Sequence, residues 1–217
     1  FFKNGPAART STCADWILFS KIPAMKRSTI NAAYREALSV FARVGWALPP
    51  CPRWDVTDCG SGDFERYGLV LVNLAEEPEY CEKLIYLRMG QSVPAHTHRK
   101  KKEDIICRRG GMMMELWTGP TAITPTEAPL RIKRSGHWTE VTEGQSFLLG
   151  AGERITLVPG VYHRFWPMQA DTIIGEVSTA NDDLNDNFFA DASLARFPEI
   201  EEDEPAEVRL IGDVPPR

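Results

Sequence analysis

The distribution of apolar and polar residues divides the chain into one helical stretch and a long β-rich region. From Met25, apolar side chains recur with a helical period, and two prolines at 49–50 end the pattern. Ser28 or Thr29 is placed to cap this helix. Further along, short apolar runs alternate with Gly, Pro and polar clusters, which is typical of β-strands. Strands are predicted at residues 67–74, 81–89, 103–109, 112–117, 144–150, 154–159 and 172–178.

Many short strands with no long helix between them predict an all-β sandwich or barrel rather than a doubly wound α/β fold. The 217 residues, 43% of them apolar, suffice for one core of ordinary domain size. We expect an N-terminal helix and connecting arm over residues 25–65, and a barrel with an acidic C-terminal segment over residues 66–217. Residues 1–24 lack a clear period and are expected to be a non-native extension or a flexible arm.

Charge and cysteine content exclude several classes of protein. The net charge is −5, and the basic cluster at 99–102 is short and followed by two acidic residues, so no nucleic-acid partner is expected. No apolar run approaches the roughly 20 residues that span a bilayer, so no membrane partner is expected. The five cysteines form no CxxC pair. This pattern disfavours a disulfide framework or a structural zinc site and indicates a reduced, cytoplasmic setting.

Two of the four histidines, His96 and His98, stand two residues apart, and Glu103 follows them. On a strand the two imidazoles share a face, about 7 Å apart along the backbone, and can hold one metal ion. A hairpin would return Glu103 beside them, and His163, just after a Pro-Gly turn, would complete the site. Such ligands suit Mn²⁺, Fe²⁺, Zn²⁺, Co²⁺ or Ni²⁺. The alternative is a solvent-exposed H-x-H pair, and His137 is expected at the surface or behind the metal ligands.

The spacing of these residues resembles the two motifs of the cupin superfamily. The first motif is matched throughout by Gly90, His96, His98, Glu103 and Gly110. The second is imperfect, with Gly152, Pro159, Gly160 and His163 present. Its Pro-to-His interval is one residue short, and Pro167 stands where Asn is usual. The resemblance implies a jelly-roll barrel of a divergent cupin branch.

A closer resemblance, to the D-lyxose isomerase family, is carried by four stretches: MKRSTINAAYREA, PAHTHRKKKEDIICRRGG, LVPGVYHRFWP and GEVSTANDDLNDNFF. It includes the signature H-x-H-x-x-K-x-E. The resemblance implies a homodimeric, metal-dependent isomerase that interconverts D-lyxose and D-xylulose, and D-mannose and D-fructose, through an enediol. It also implies one ion per chain, commonly Mn²⁺, held by His96, His98, Glu103 and His163.

Such chemistry needs a carboxylate to move the carbon-bound proton and a cation or acid to serve the oxygen. Lys101 lies two residues before Glu103, so on an extended chain the two side chains share a face, and Lys101 is predicted to serve the oxygen. Glu176 interrupts an apolar strand. A buried, unpaired carboxylate is costly unless it has a function or a partner, so Glu176 is the predicted base. The alternatives are a solvated turn lysine and an outward-facing glutamate.

Further acidic residues are candidate contacts to sugar hydroxyls. Asp182 and Asp186 lie in the polar cluster NDDLNDN, which is otherwise an Asx-rich turn. Glu202 lies in the acidic segment at 199–205, which is otherwise solvated or faces a partner. Two other functions stay open at this point. A non-catalytic cupin that binds a sugar or another metabolite would need the metal site without Lys101 and Glu176, and an Fe²⁺-dependent dioxygenase would use the same ligands.

Overall fold

A computed structural model of the chain describes residues 22–119, 128–179 and 181–213. Two α-helices, α1 (Arg27–Arg43) and α2 (Phe64–Tyr67), and a 3₁₀ turn (Ile211–Asp213) are described. The first eight strands are β1 (Met25–Lys26), β2 (Arg53–Thr57), β3 (Leu69–Glu76), β4 (Tyr80–Tyr86), β5 (Val93–Thr97), β6 (Glu103–Arg109), β7 (Gly111–Trp117) and β8 (Pro129–Arg134). The others are β9 (His137–Thr142), β10 (Phe147–Gly150), β11 (Arg154–Leu157), β12 (Tyr162–Pro167), β13 (Ile173–Thr179), β14 (Phe188–Phe189) and β15 (Ile200–Glu201).

Most described strands form two sheets that face each other across a shared core. The eight-stranded sheet has the order β2-β3-β4-β13-β6-β11-β8-β9, and the five-stranded sheet has the order β10-β7-β12-β5-β14. Inward side chains of both sheets pack together because successive residues of a strand point to opposite faces. The shared core includes Leu71, Ile85, Cys107, Met112, Met114, Leu116 and Phe165. This two-sheet jelly roll confirms the predicted all-β fold class.

The predicted strands are all present, with ends that differ by up to three residues. The other eight described strands were not among the predicted ones. Of these, β2, β8 and β9 lie at the two ends of the eight-stranded sheet. They are short and carry several charged residues, which is how exposed sheet edges are often protected. Their sequences therefore do not show the apolar run of a central strand.

Helix α1 covers the outer face of the eight-stranded sheet. Its buried residues Ile30 and Phe41 pack with Val70 and Val72 of β3, whereas Leu71 between them points into the shared core. No residue of α1 lines the cavity between the sheets. Within the described ranges, no helix combines the length and apolar character that crossing a membrane requires.

The acidic segment at 199–205 lies against the start of α1, and most of its residues stay exposed, as the solvated interpretation expected. Asp203 accepts a 2.8 Å hydrogen bond from the backbone N–H of Ser28 and a 2.6 Å bond from its hydroxyl. This carboxylate caps the helix, in place of the predicted cap from Ser28 or Thr29. Glu202 binds the guanidinium of Arg27 through both oxygens. Carboxylates are favoured here because the N-terminus of a helix is its positive end.

The predicted division of the chain stays a prediction. Residues 1–21 of the expected extension lie outside the described residues. The expected connecting arm contains β2, which pairs with β3 along its full length and so belongs to the eight-stranded sheet.

Candidate active site

Three histidines meet at the inner face of the five-stranded sheet. His96 on β5 and His163 on β12 are direct cross-strand partners. His98 follows β5, and its carbonyl accepts a 2.8 Å hydrogen bond from the N–H of Gly160. Gly160 has a φ of +89°, which residues with a Cβ rarely adopt, so glycine lets this turn tie β12 to the H-x-H segment. One ring nitrogen from each histidine lies within 4.8 Å of the others.

Glu103 reaches the three rings from the opposite sheet. Its strand β6 belongs to the eight-stranded sheet, whereas β5 belongs to the five-stranded sheet. The chain between them therefore crosses from one sheet to the other, and the predicted hairpin is wrong. The Oε1 atom of Glu103 lies 3.3 Å from Nε2 of His163 and 3.6 Å from Nε2 of His98. The four predicted metal ligands are thus brought together across the core.

Backbone carbonyls fix the orientation of all three imidazoles. Nδ1 of His96 donates to the carbonyl of Pro94 at 2.9 Å, and Nδ1 of His98 donates to the carbonyl of Asp186. Nδ1 of His163 faces the carbonyl of Val161 at 3.4 Å. Each Nε2 is then left with its lone pair, the form in which histidine binds metals. Nε2 of His163 is buried and has no hydrogen-bond partner among the described residues, which fits a place for a metal ion.

Burial sets the charge of the cluster. It lowers the pKa of His96 to about 3 and the pKa values of His98 and His163 to about 4, so the rings are neutral at neutral pH. Burial alone would raise the pKa of Glu103, but the ammonium of Lys101 outweighs it and holds that pKa well below its usual range. Three neutral imidazoles and one carboxylate form a donor set that suits a divalent ion.

Lys101 links Glu103 to a second buried carboxylate. Its Nζ lies 3.0 Å from Oε2 of Glu103 and 2.8 Å from Oε1 of Glu176 on β13. Lys101 is 5% exposed and Glu176 is 6% exposed, so neither side chain is solvated. Ser178 donates a further 3.2 Å hydrogen bond to Glu176. The two residues predicted to move protons therefore form an ion pair beside the histidines.

The ion pair keeps both partners charged. Burial opposes the ammonium of Lys101, but Glu103 and Glu176 raise its pKa above the ordinary value. Burial likewise opposes ionisation of Glu176, but Lys101 and Lys83 lower the pKa of that carboxyl. Glu176 is therefore a carboxylate at neutral pH, which is the state that a proton acceptor requires.

Asp186 holds the turn that carries His98 and Lys101. Its carboxylate accepts hydrogen bonds of 2.8–3.1 Å from the backbone N–H groups of Arg99, Lys100 and Lys101. Its own carbonyl accepts from His98. With its oxygens already occupied, Asp186 acts as a positioning residue in this geometry.

Two other predicted sugar contacts lie away from the cavity. Asp182 accepts 3.0 Å hydrogen bonds from the backbone and side chain of Asn185 within their own turn. Glu202 is bound to Arg27 on the far side of the eight-stranded sheet, and its side chain is 59% exposed. Neither residue lines the cavity that contains the histidines. His137 is exposed at the start of β9, as expected.

A second set of charged residues, which was not predicted from the sequence, lies in and beside the cavity. Lys83 on β4 donates to Asp183 at 3.0 Å, and Asp183 lies 3.7 Å from Arg196. Arg196 in turn lies 2.5 Å from Asp55 on β2. Lys83 could have been predicted from the sequence, because it alternates with Cys81 and Ile85 and so points inward. Arg196 could not, since its segment has no strand pattern.

Two facing sheets that enclose three histidines and a carboxylate define a cupin-type protein. Solved structures of L-ribose isomerases share the fold. The enzyme of Cellulomonas parahominis with L-ribose superposes with a TM-score of 0.61 at 17% identity, over 83% of this chain and 100% of that chain. The enzyme of Acinetobacter sp. DL28 with L-ribose also gives 0.61 at 17% identity, over 84% and 100%.

Sequence comparison narrows the class further. The profile of the D-lyxose isomerase family matches residues 52–214. The D-lyxose/D-mannose isomerase of Serratia proteamaculans is 35% identical, over 87% of this chain and 97% of the relative. That of Escherichia coli O157:H7 is 37% identical, over 87% and 98%. The chain belongs to the D-lyxose isomerase family, as the sequence motifs indicated.

Replacing Asp186 by Ala is expected to weaken metal binding by about 10- to 100-fold, the usual effect of losing a partner that orients ligands. Three backbone N–H groups would lose their acceptor, and the turn with His98 and Lys101 would loosen. The affinity for Mn²⁺ can be measured by competition with a chelator. Asp191→Ala is the matched control, because Asp191 is exposed and only caps Ser193 in a nearby loop. Equal affinities in the two variants would contradict the positioning role.

Proposed function

We propose that the protein is a metal-dependent aldose–ketose isomerase that interconverts D-lyxose and D-xylulose, with D-mannose and D-fructose as a second pair. Relatives that share at least 35% of its sequence are named D-lyxose/D-mannose isomerases. The observation that carries the proposal is the ion pair of Lys101 and Glu176 beside a cluster of three histidines and Glu103. A protein that only binds sugar would need the metal site but not Lys101 or Glu176.

The donor set of the cluster suits one divalent ion per chain, and we propose Mn²⁺. His96, His98 and His163 would each supply Nε2, and Glu103 would supply a carboxylate oxygen. A bound divalent ion polarises a carbonyl and stabilises negative charge on neighbouring oxygens. The site keeps the imidazoles neutral and the carboxylate ionised, and these are the forms in which they bind a metal ion.

The residues of the chain would carry the protons. The carboxylate of Glu176 would accept the proton from C2 of the aldose and return it to C1, while a second proton would pass from O2 to O1, which gives the ketose through an enediol. The ammonium of Lys101 would donate a hydrogen bond to a substrate oxygen and would hold Glu176 in place. Both side chains are buried beside the histidine cluster, so the proton transfer would take place inside the cavity. The homodimer and the cytoplasmic setting expected from the sequence stay predictions.

The direct test is turnover by the full chain after metal removal and after reloading with Mn²⁺. Stripped protein is expected to be inactive, and reloaded protein should form D-xylulose from D-lyxose and D-fructose from D-mannose. Ketose formation by chromatography is the measurement, with oxygen uptake followed in parallel. Sugar binding without ketose formation would replace the proposal with a non-catalytic binding protein. Oxygen uptake without ketose formation would indicate a dioxygenase.

A further inference from the structure

The two carboxylate oxygens of Glu176 have different surroundings. Oε1 accepts a 2.8 Å hydrogen bond from Nζ of Lys101 and a 3.2 Å hydrogen bond from the hydroxyl of Ser178. Oε2 accepts none from the described residues, yet it is not among their fully buried unpartnered atoms. Since Glu176 lines the cavity, Oε2 is the oxygen that a molecule in the cavity can reach. The protein therefore holds one oxygen and leaves the other free.

Ser178 contacts Glu176 from a position outside the cavity. The two residues stand two positions apart on β13, so both side chains point to the inner face of the sheet. Ser178 lies directly opposite Glu103 of β6, is 5% exposed and does not line the cavity. Within the described residues, its hydroxyl donates to Oε1 of Glu176. Because Ser178 does not reach a bound substrate, its effect on the reaction must pass through Glu176.

A second donor fixes the plane of the carboxylate. The terminal torsion of a glutamate side chain has only a broad preference, so a carboxylate with one donor can rotate and exchange its two oxygens. Lys101 alone would permit this rotation, because its ammonium is carried on a long stem and also contacts Oε2 of Glu103. Ser178 has a short side chain on the same strand as Glu176, so its hydroxyl cannot follow the rotation. The two donors together keep Oε2 turned towards the cavity.

We propose that Ser178 is a positioning residue, which anchors Oε1 of Glu176 so that Oε2 exchanges the proton with the substrate carbons. This inference rests on the proposed isomerase activity and deepens it. Oε2 would take the proton from C2, leave the electron pair of the C–H bond in the enediol, and deliver the proton to C1. The proton of the Ser178 hydroxyl would stay on its own oxygen. Proton transfer requires close alignment of the reacting atoms, so a loosened carboxylate would slow this step.

The first test compares variants of the full chain loaded with Mn²⁺. Ser178→Ala removes the hydroxyl and is expected to lower kcat for D-lyxose about 10- to 100-fold, the usual effect of one hydrogen bond to a charged group. Its KM and its metal content should match those of the wild-type protein. Ser178→Thr keeps a hydroxyl on the same carbon and should restore most of kcat. Ser193→Ala is the matched control, because Ser193 is exposed in a loop and donates to Asp191.

Two further measurements separate positioning from a purely structural role. With D-lyxose deuterated at C2, the isotope effect on kcat should be larger in Ser178→Ala than in the wild-type protein, because proton transfer then limits turnover. D-Arabinitol, the reduced form of D-lyxose, cannot be isomerised and can be crystallised with the Mn²⁺-loaded protein. The carbon that corresponds to C2 of D-lyxose should then lie nearer to the oxygen of Glu176 that Ser178 does not contact.

An unchanged kcat in Ser178→Ala would overturn the proposal, and so would equal losses in Ser178→Ala and Ser178→Thr. A loss of kcat that accompanies a loss of metal, or a reacting carbon placed at the oxygen that Ser178 holds, would overturn it as well. Each of these results, obtained with an active wild-type protein, contradicts the role of Ser178 and leaves the isomerase activity intact. Absence of ketose formation by the wild-type protein would instead contradict the isomerase activity and this role together.

Discussion

Glu176→Gln is expected to reduce kcat by about 10²–10⁴-fold, the usual contribution of a positioned acid–base group. The amide has almost the volume of the carboxylate and can still contact Lys101, but it cannot accept a proton at neutral pH. The variant should therefore fold, retain its metal and bind sugar. The measurement is deuterium incorporation at C1 or C2 in D₂O alongside ketose formation. The wild-type protein should show both, and the variant neither at a comparable rate.

The exchange experiment also separates the possible proton acceptors. Glu140→Gln is the control, because Glu140 is exposed on β9. Undiminished exchange in Glu176→Gln would transfer the role of base to another carboxylate that lines the cavity, Asp183 or Glu103. Ketose formation by the wild-type protein without any exchange would contradict a solvent-exchanging enediol and favour transfer between the carbons within the substrate.

His163→Ala is expected to abolish metal binding and turnover together. The substitution removes one of three clustered imidazoles, the one whose Nε2 is buried without a hydrogen-bond partner among the described residues. Loss of a direct ligand should exceed the 10- to 100-fold effect that is usual for an orienting partner, so affinity should fall by more than about 100-fold. Metal content by elemental analysis and ketose formation are measured on the same preparation.

His137→Ala provides the comparison, since His137 is exposed and belongs to no metal cluster in the described residues. It should match the wild-type protein in metal content and in activity. Full metal content in His163→Ala would remove His163 from the centre and leave His96, His98 and Glu103 as ligands. Loss of activity with full metal content would move His163 from metal binding to contact with the substrate.

The features that could be predicted from sequence are those fixed within a short segment. Eight consecutive residues contain His96, His98, Lys101 and Glu103, so their spacing alone indicates a metal site with a lysine beside it. Glu176 was detectable because a charge interrupts an apolar strand. The hairpin prediction failed because a turn of basic residues looks the same whether it joins strands of one sheet or crosses between two sheets.

The features that escaped prediction depend on residues far apart in the chain. Asp203 caps a helix 175 positions away, and Asp55 forms an ion pair with Arg196, which lies much later in the chain. A local pattern contains no information on such pairings, since each residue alone looks like an ordinary polar surface residue. The acidic segment is mostly exposed, as the sequence suggested, but its contacts with Arg27 and with the N–H of Ser28 could not be predicted for this reason.

The histidine cluster and Glu103 belong to different walls of the barrel, and this division has a mechanical consequence. An ion held by His96, His163 and Glu103 would join the five-stranded sheet to the eight-stranded sheet, much as a cross-link does. The gap between the walls is set by side chains such as Met114, which is fully buried between them. Packed interiors transmit small changes of volume. A substitution at Met114 would therefore alter the distance between the histidines and Glu103 without changing any of these ligands. We therefore expect the catalytic rate to depend on the distance between the two sheets.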